Sequence, residues 1–412
     1  MRVCILADSP FLPTGYSNQA KLLAKYLRKN GHEVMWLAVA YNGTDISYSQ
    51  LPDGTTFDFL IKGEMQHSYF MNVIERHLKE WKADILIIIL DTFMLYPHIL
   101  SKDLSPAKTI FWAPSDGGAG MPKGCDMVLR KMDQAVMYSK FSKQQVKDYY
   151  GLDLPFIPLG TEPDRFYPLS QEKKELIRAK YGLNGKFVVG VVARNQPRKF
   201  LDRTFKAFKL LKNKIPNAVL FMHSDPTDPA QAFSMIELIK DYNLENRVCF
   251  SGMNAHKGFD WNQMNEVYNV MDCFLLTTSG EGWGIPLIEA MSCEIPVLAT
   301  DYTTTPEIIK ENNAGLSINL SGVAEVSTEE FFKDQKAYDE KCMNGTIMGS
   351  WMVERGIMDI NDCVKKIEWI YRNPQLAREM GKDGRIAVLN KYDFNKHTAK
   401  PFEDLMKKLC QI

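Results

Sequence analysis

An α/β protein made of two Rossmann-like parallel-sheet domains is predicted by three observations. Apolar runs of strand length alternate with amphipathic helical stretches along the chain, the pattern of parallel strands covered by helices. A turn-rich segment, Gly160 to Pro168, divides those runs into two sets. The length, 412 residues, exceeds what one hydrophobic core commonly organises.

The first set predicts strands near Val3–Ala7, Val34–Ala40, Ile85–Leu90, Thr109–Trp112, Ala135–Met137 and Phe156–Leu159. The second predicts Phe187–Val192, Val219–Met222, Val248–Phe250, Cys273–Thr277 and Val297–Ala299. The opening strand leads through Ser9 to Ser17 into a helix, with Ser17 the expected N-cap and Gly31 the expected stop. The two sets share a layout without a fixed-period repeat, so a solenoid is excluded. Residues 321–356 break the rhythm with polar and charged positions and read as an insertion or long loop.

Composition narrows the class. The chain is 45% apolar and 24% charged with a formal net charge of zero, so it is no general polyanion binder. No basic-aromatic platform for nucleic acid is present. Eight cysteines are scattered without a Cys-x-x-Cys pair, which suits buried thiols in a reducing cytosol. The N-terminus enters a strand at once rather than a signal peptide, and the longest aliphatic run, Ile85–Leu90, is too short for a bilayer. A cytoplasmic protein is expected, free or peripheral on the cytoplasmic membrane face. The basic amphipathic stretch Ala20–Lys29 fits such a face, although a helix packed on a sheet with a solvated basic side gives the same pattern and is the favoured reading. No sequence feature sets an oligomeric state.

The chemistry concentrates in one turn. After the strand Cys273-Phe274-Leu275-Leu276 come Gly280, Gly282 and Gly284 with two carboxylates, Glu281 and Glu289. The glycines permit positive φ, and Pro286 suits the first turn of a helix, where its missing N–H costs nothing. First-turn amides lack intrahelical partners and carry partial positive charge, so they suit a phosphate. Glu281 then faces the ligand beside the loop, and Glu289 reaches a polar group such as a ribose. A plainer alternative is a βα turn with two solvated glutamates.

A second signal runs from Val191 to Lys199, where a strand ends in a loop holding Arg194 and Lys199. A guanidinium and an ammonium there can stabilise charge on a departing diphosphate, work that a divalent metal does elsewhere. No Asp-x-Asp stands in a metal-ligand setting, so no metal is expected. A solvated basic loop is again the plainer alternative.

The Glu-x7-Glu pair, here Glu-Gly-x-Gly-x-Pro-x-x-Glu-Ala, resembles the hallmark of the family 4 retaining glycosyltransferases, glycosyl transferases group 1, of the GT-B fold. That resemblance implies two Rossmann-like domains facing across a cleft. Residues 1–168 would form the acceptor-side domain and 169–394 the nucleotide-sugar domain, with a helix at about 395–412 packing back on the first. Gly160-Thr161-Glu162-Pro163-Asp164-Arg165-Phe166 resembles the family's linker. The resemblance assigns Glu281 to the donor sugar, Glu289 to the ribose, and the backbone of Gly282, Trp283, Gly284, Ile285 and Leu287 to the diphosphate. Arg194 and Lys199 would stabilise the leaving group. Gly15 falls where the family carries a glycine turn near the donor phosphates, with Thr14 in place of a first glycine. Many members have a histidine after the strand that here ends at Trp112. This chain has Asp116 in that turn, either orienting the acceptor or capping the turn before Gly117-Gly118.

The function implied is retaining, metal-independent transfer of a hexose-type sugar from a UDP- or GDP-linked donor to a glycan, lipid or small-molecule acceptor. No cofactor is required beyond the nucleotide sugar as co-substrate. No residue stands out as a general base, which favours a front-face path in which the departing phosphate helps deprotonate the acceptor. Two alternatives stay open: a sugar-nucleotide epimerase of the same fold, and a silent nucleotide-sugar or carbohydrate-binding module. A Rossmann oxidoreductase is disfavoured, because Gly280-x-Gly282-x-Gly284 lacks the Gly-x-Gly-x-x-Gly spacing.

Overall fold

The computed structural model describes residues 1–50, 56–64, 69–118, 125–255, 258–327 and 352–411, which divide into two compact units. The first comprises Met1–Leu159, Glu325–Glu354 and Phe394–Ile412, and the second Gly160–Ala324 and Arg355–Asp393. The middle of the expected insertion, residues 328–351, lies outside the described residues.

The first unit holds a parallel sheet of β1 (Arg2–Asp8), β2 (Glu33–Val39), β3 (Leu60–Lys62), β4 (Ile85–Ile89), β5 (Lys108–Ala113) and β6 (Gln134–Met137). Their order is β3-β2-β1-β4-β5-β6, so the connection reverses direction between β1 and β4. Ile-Leu-Ile-Ile-Ile in β4 is buried throughout, as a strand covered on both faces demands. Helix α1 (Gly15–Lys29) lays Ala20, Leu23, Ala24 and Leu27 against β1 and β2 and leaves Lys25 and Lys29 in solvent. The N-cap of α1 is Thr14 and not Ser17. The Thr14 hydroxyl accepts from Ser17 N–H at 3.1 Å and donates to Asp8 at 2.6 Å, and Ser17 lies buried within the first turn. The stretch Phe156–Leu159 makes one bridge, Phe156 to Met137, and no strand; Pro155 and Pro158 remove the donors a ladder needs.

The second unit repeats the plan. Its parallel sheet holds β7 (Phe187–Val192), β8 (Ala218–His223), β9 (Val248–Phe250), β10 (Cys273–Leu276), β11 (Val297–Thr300) and β12 (Gly315–Ile318), ordered β9-β8-β7-β10-β11-β12. At Gly190 in β7 a Cβ would stand 2.0 Å from the Met271 sulfur, so a larger residue there would have to displace that side chain. A two-stranded sheet of β13 (Leu320–Ser327) and β14 (Met352–Met358) follows. The helices that position the site are α2 (Leu201–Leu211), α3 (Trp261–Asn269) and α4 (Ile285–Ser292), and α5 (Ile360–Arg372) packs on α2.

The segment Gly160 to Pro168, read as a linker closing the first domain, is part of the second unit. Phe166 is buried edge-on to Trp261 and Tyr268, and its carbonyl accepts from the Ser292 hydroxyl at 2.6 Å. An aromatic at that position turns a connector into a packed element. Beyond Asp393 the chain returns to the first unit through α6 (Lys400–Cys410). There Phe402 stands edge-on to Trp112 of β5, with ring centroids 4.7 Å apart. Buried Glu403 accepts from Tyr26 Oη at 3.1 Å and pairs with Lys407 at 2.7 Å, with His32 Nε2 at 3.4 Å. Among the described residues no helix is long and apolar enough to cross a membrane.

Candidate functional site

The order of the second sheet reverses between β7 and β10. The loops leaving their carboxyl ends border the crevice where open α/β sheets take ligands. Residues 193–200 follow β7 and residues 277–284 follow β10, and hydroxyls sew the two loops together. Ser279 donates to the Arg198 carbonyl from its backbone N–H at 2.7 Å and from its hydroxyl at 2.9 Å. Thr277 Oγ1 donates to the carbonyls of Lys199 and Phe200, both at 3.1 Å.

At the centre is Glu281, only 4% exposed. Its Oε1 lies 2.5 Å from Lys199 Nζ and its Oε2 3.2 Å from Arg198 Nη1. Burial alone would push this carboxyl up. The two cations and the hydrogen bonds from Lys199 and Thr278 outweigh it and hold the group down at about 2. Glu281 is therefore a fixed anion at neutral pH, presented at a switch point with two cations beside it.

Gly284 follows with φ +99°, a left-handed conformation that glycine adopts without penalty, and caps α4 with no side chain. Pro286 occupies the first turn. Gly282 and Ile285 are half-buried, while Leu287 is fully buried in the core, leaving its backbone for the site. Trp283 is 3% exposed and stands edge-on to Tyr392 at 5.5 Å, and its indole N–H has no hydrogen-bond partner among the described residues. One turn into α4, Glu289 accepts from Tyr268 Oη at 2.5 Å. Burial raises the Glu289 carboxyl to about 7 in spite of that bond. Two glutamates eight positions apart thus sit in opposite charge states near pH 6, one ionised and one protonated.

Tyr268 was not legible as a site residue; its signal is only a tyrosine in a helix ahead of β10. Removing its hydroxyl in Tyr268→Phe leaves Glu289 without its donor. The fold is expected to lose about 1–2 kcal/mol of stability at pH 8, where the ionised carboxyl most needs that donor, read by thermal melts. Unchanged melting would show that Tyr268 does no more than pack.

The basic pair expected over one phosphate is split. Lys199 meets Glu281, whereas Arg194 pairs with Asp228, Nε to Oδ2 at 2.8 Å and Nη2 to Oδ1 at 3.4 Å. Asp228 is buried and Arg194 about half exposed. The second cation on Glu281 is Arg198, where the sequence predicts Arg194 beside Lys199. The only available signal was adjacency to Lys199.

Gly15 and Asp116 lie in the first unit. Gly15 is the exposed first residue of α1, next to its cap Thr14. Asp116 is half-buried in the turn after β5, where the Gly118 N–H bonds the Glu354 carbonyl at 3.0 Å. Tyr16 donates to Asp91 at 2.6 Å at the reversal point of the first sheet. Burial first, then Asp91 and more weakly Asp116, push the Tyr16 phenol far up. Among the described residues no group of three or more His, Cys, Asp or Glu side chains is arranged to hold a metal ion.

Residues 173–334, which carry Arg194, Lys199, Glu281 and Glu289, match the family model for glycosyl transferases group 1. This segment is similar to the glycosyl transferases of group 1. Its relatives include the mannosylfructose-phosphate synthase of Agrobacterium fabrum, 26% identical over 42% of this chain and 39% of that protein. Another is the GDP-mannose-dependent α-(1-6)-phosphatidylinositol monomannoside mannosyltransferase of Mycolicibacterium smegmatis, 25% identical over 48% of this chain and 51% of that protein. The matched stretch spans about half or less of these relatives' own length. Solved structures carry the likeness over nearly the whole chain. Sucrose-phosphate synthase from Thermosynechococcus elongatus superposes with a TM-score of 0.73 at 16% identity, covering 99% of both chains. The Anabaena HepE protein in complex with UDP-glucose gives 0.70 at 14% identity, covering 98% of this chain and 99% of that one. The two units therefore have the GT-B fold.

Proposed function

We propose that the protein is a retaining, metal-independent glycosyltransferase. It moves a hexose-type sugar from a UDP- or GDP-linked donor to a glycan, lipid or small-molecule acceptor. The observation that carries this reading is Glu281, a buried anion held by Lys199 and Arg198 at the switch point and followed at once by the uncapped start of α4. The amides at that helix start suit the diphosphate, and Arg194 and Lys199 suit the charge that grows on it as the sugar departs. Glu281 accepts hydrogen bonds from sugar hydroxyls, and Glu289 accepts them from the ribose. The UDP-glucose bound by HepE and the GDP-mannose dependence of the mycobacterial relative support a nucleotide-sugar donor. Gly15 and Asp116 are assigned to the first unit's part, approach to the donor phosphates and orientation of the acceptor. The place of action is the cytoplasm or the cytoplasmic membrane face.

The test is a thermal-shift screen of UDP- and GDP-sugars, followed by product analysis with candidate acceptors. A matching donor at a hundred times its Kd stabilises the fold by about 2.7 kcal/mol, a shift of several degrees. Product NMR then reads the anomeric configuration, which retention preserves. Slow donor hydrolysis by the wild type should fall at least about tenfold in Arg194→Ala. No shift with any nucleotide sugar sinks the reading, and an epimerised donor without transfer replaces it with an epimerase.

A further inference from the structure

Ten non-glycine residues among those described adopt positive φ, and Thr303, at +56°, is the only β-branched one. A branched side chain is sterically disfavoured there, and such outliers persist where the surroundings impose them. Thr303 is 8% exposed in the loop after β11. Its hydroxyl accepts the backbone N–H of Glu281 at 2.9 Å and donates its own proton to the Tyr302 carbonyl at 2.8 Å. The second bond fixes the rotor, so that a lone pair and not the proton faces Glu281. The next residue, fully buried Thr304, donates to the carbonyls of Glu281 at 3.1 Å and Trp283 at 3.0 Å. The N–H and the C=O of Glu281 are thus both satisfied by side-chain hydroxyls of two successive threonines, of which Thr303 is the strained one.

We propose that Thr303 is a positioning residue: its strained backbone places a hydroxyl on the Glu281 amide and thereby fixes where the Glu281 carboxylate stands. The inference rests on the role given to Glu281 in the proposed transfer. Thr303 acts through the main chain of Glu281. The loop geometry is consequently set before any donor arrives, which is what preorganisation of a charged group requires.

The proposal separates stability from activity, which a merely structural role does not. Thr303→Gly relieves the strain and removes the hydroxyl, Thr303→Val keeps the branched side chain and removes the hydroxyl, and Thr303→Ser keeps the hydroxyl. Two readouts are taken: hydrogen exchange at the Glu281 amide, and kcat and KM for donor turnover. Thr303→Gly should melt within a few degrees of the wild type, while its Glu281 amide exchanges about tenfold faster and kcat falls by about 10–100-fold. Thr303→Val should show the same losses with a lower melting temperature, and Thr303→Ser should restore both readouts to within about threefold. Wild-type exchange and kcat in Thr303→Gly overturn the proposal, as does a Thr303→Ser variant no better than Thr303→Val. If the wild type turns over no nucleotide sugar, the proposed function fails on that arm. Amide exchange then still decides whether Thr303 holds Glu281.

Discussion

Replacing Glu281 by glutamine is expected to cut the proposed sugar transfer, as kcat/KM, by about 10²–10³-fold. Glutamine keeps the volume and one acceptor oxygen but removes the charge that Lys199 and Arg198 neutralise. Two cations are then left facing each other in a largely buried loop. Breaking one partner out of a fully buried pair costs about 3–5 kcal/mol, and because Lys199 and Arg198 keep partial access to water the expected loss is about 1–3 kcal/mol. The pH dependence has a definite sign. The native carboxyl stays ionised down to about 2, whereas the unfolded one protonates near 4.5, so the unfolded state binds the extra proton between those values. The stability that Glu281 contributes is full above pH 4.5 and is lost as pH falls toward 2. Melts of both proteins from pH 3 to 8 should therefore converge at the acid end. The double variant Glu281→Gln with Lys199→Met should lose little more activity than either single one, since the residues act as a unit. Transfer within about threefold of wild type in Glu281→Gln would remove this residue from the chemistry.

Glu289→Gln tests the other glutamate and should act with the opposite pH sign. The native Glu289 carboxyl holds its proton up to about 7, while the unfolded chain releases it near 4.5. Across that window the native state binds one more proton, so wild-type stability declines as pH rises, by a total on the order of 3 kcal/mol. Glutamine has no proton to lose and can still accept from Tyr268. The variant should accordingly melt higher than wild type at pH 8 and no higher at pH 4.5. Under the role proposed for Glu289 toward the ribose, donor affinity should move differently: wild-type affinity should rise as pH climbs through 7 and Glu289 gains its charge. In the variant it should stay weak and flat. A pH-independent difference in melting temperature between the two proteins would contradict the burial argument.

Much of this arrangement could be read from the residues in order, because each domain writes buried aliphatic runs such as Ile85–Ile89 between amphipathic helices. Short edge strands escaped: Leu60–Lys62 and Gly315–Ile318 have three and four residues and only partial burial, so they leave no long apolar run. Glu281 and Glu289 were legible because the glycines, proline and carboxylates occupy consecutive positions. What surrounds them was not. Arg198, Asp228, Tyr268 and Thr303 reach the site from other loops and helices, and sequence carries no mark of which side chain meets which across a fold. Thr303 was the least visible, since a threonine among Thr303, Thr304 and Thr305 looks like an ordinary polar turn. Only its φ sets it apart.

The return of the chain through α6 makes the second unit, in topology, a long insertion within the first. The Trp112 ring waits for Phe402, and Tyr26 and His32 wait for Glu403, partners that lie more than 280 residues downstream. All six strands of the second unit's sheet therefore precede, in sequence, the residues that complete the packing of the first unit.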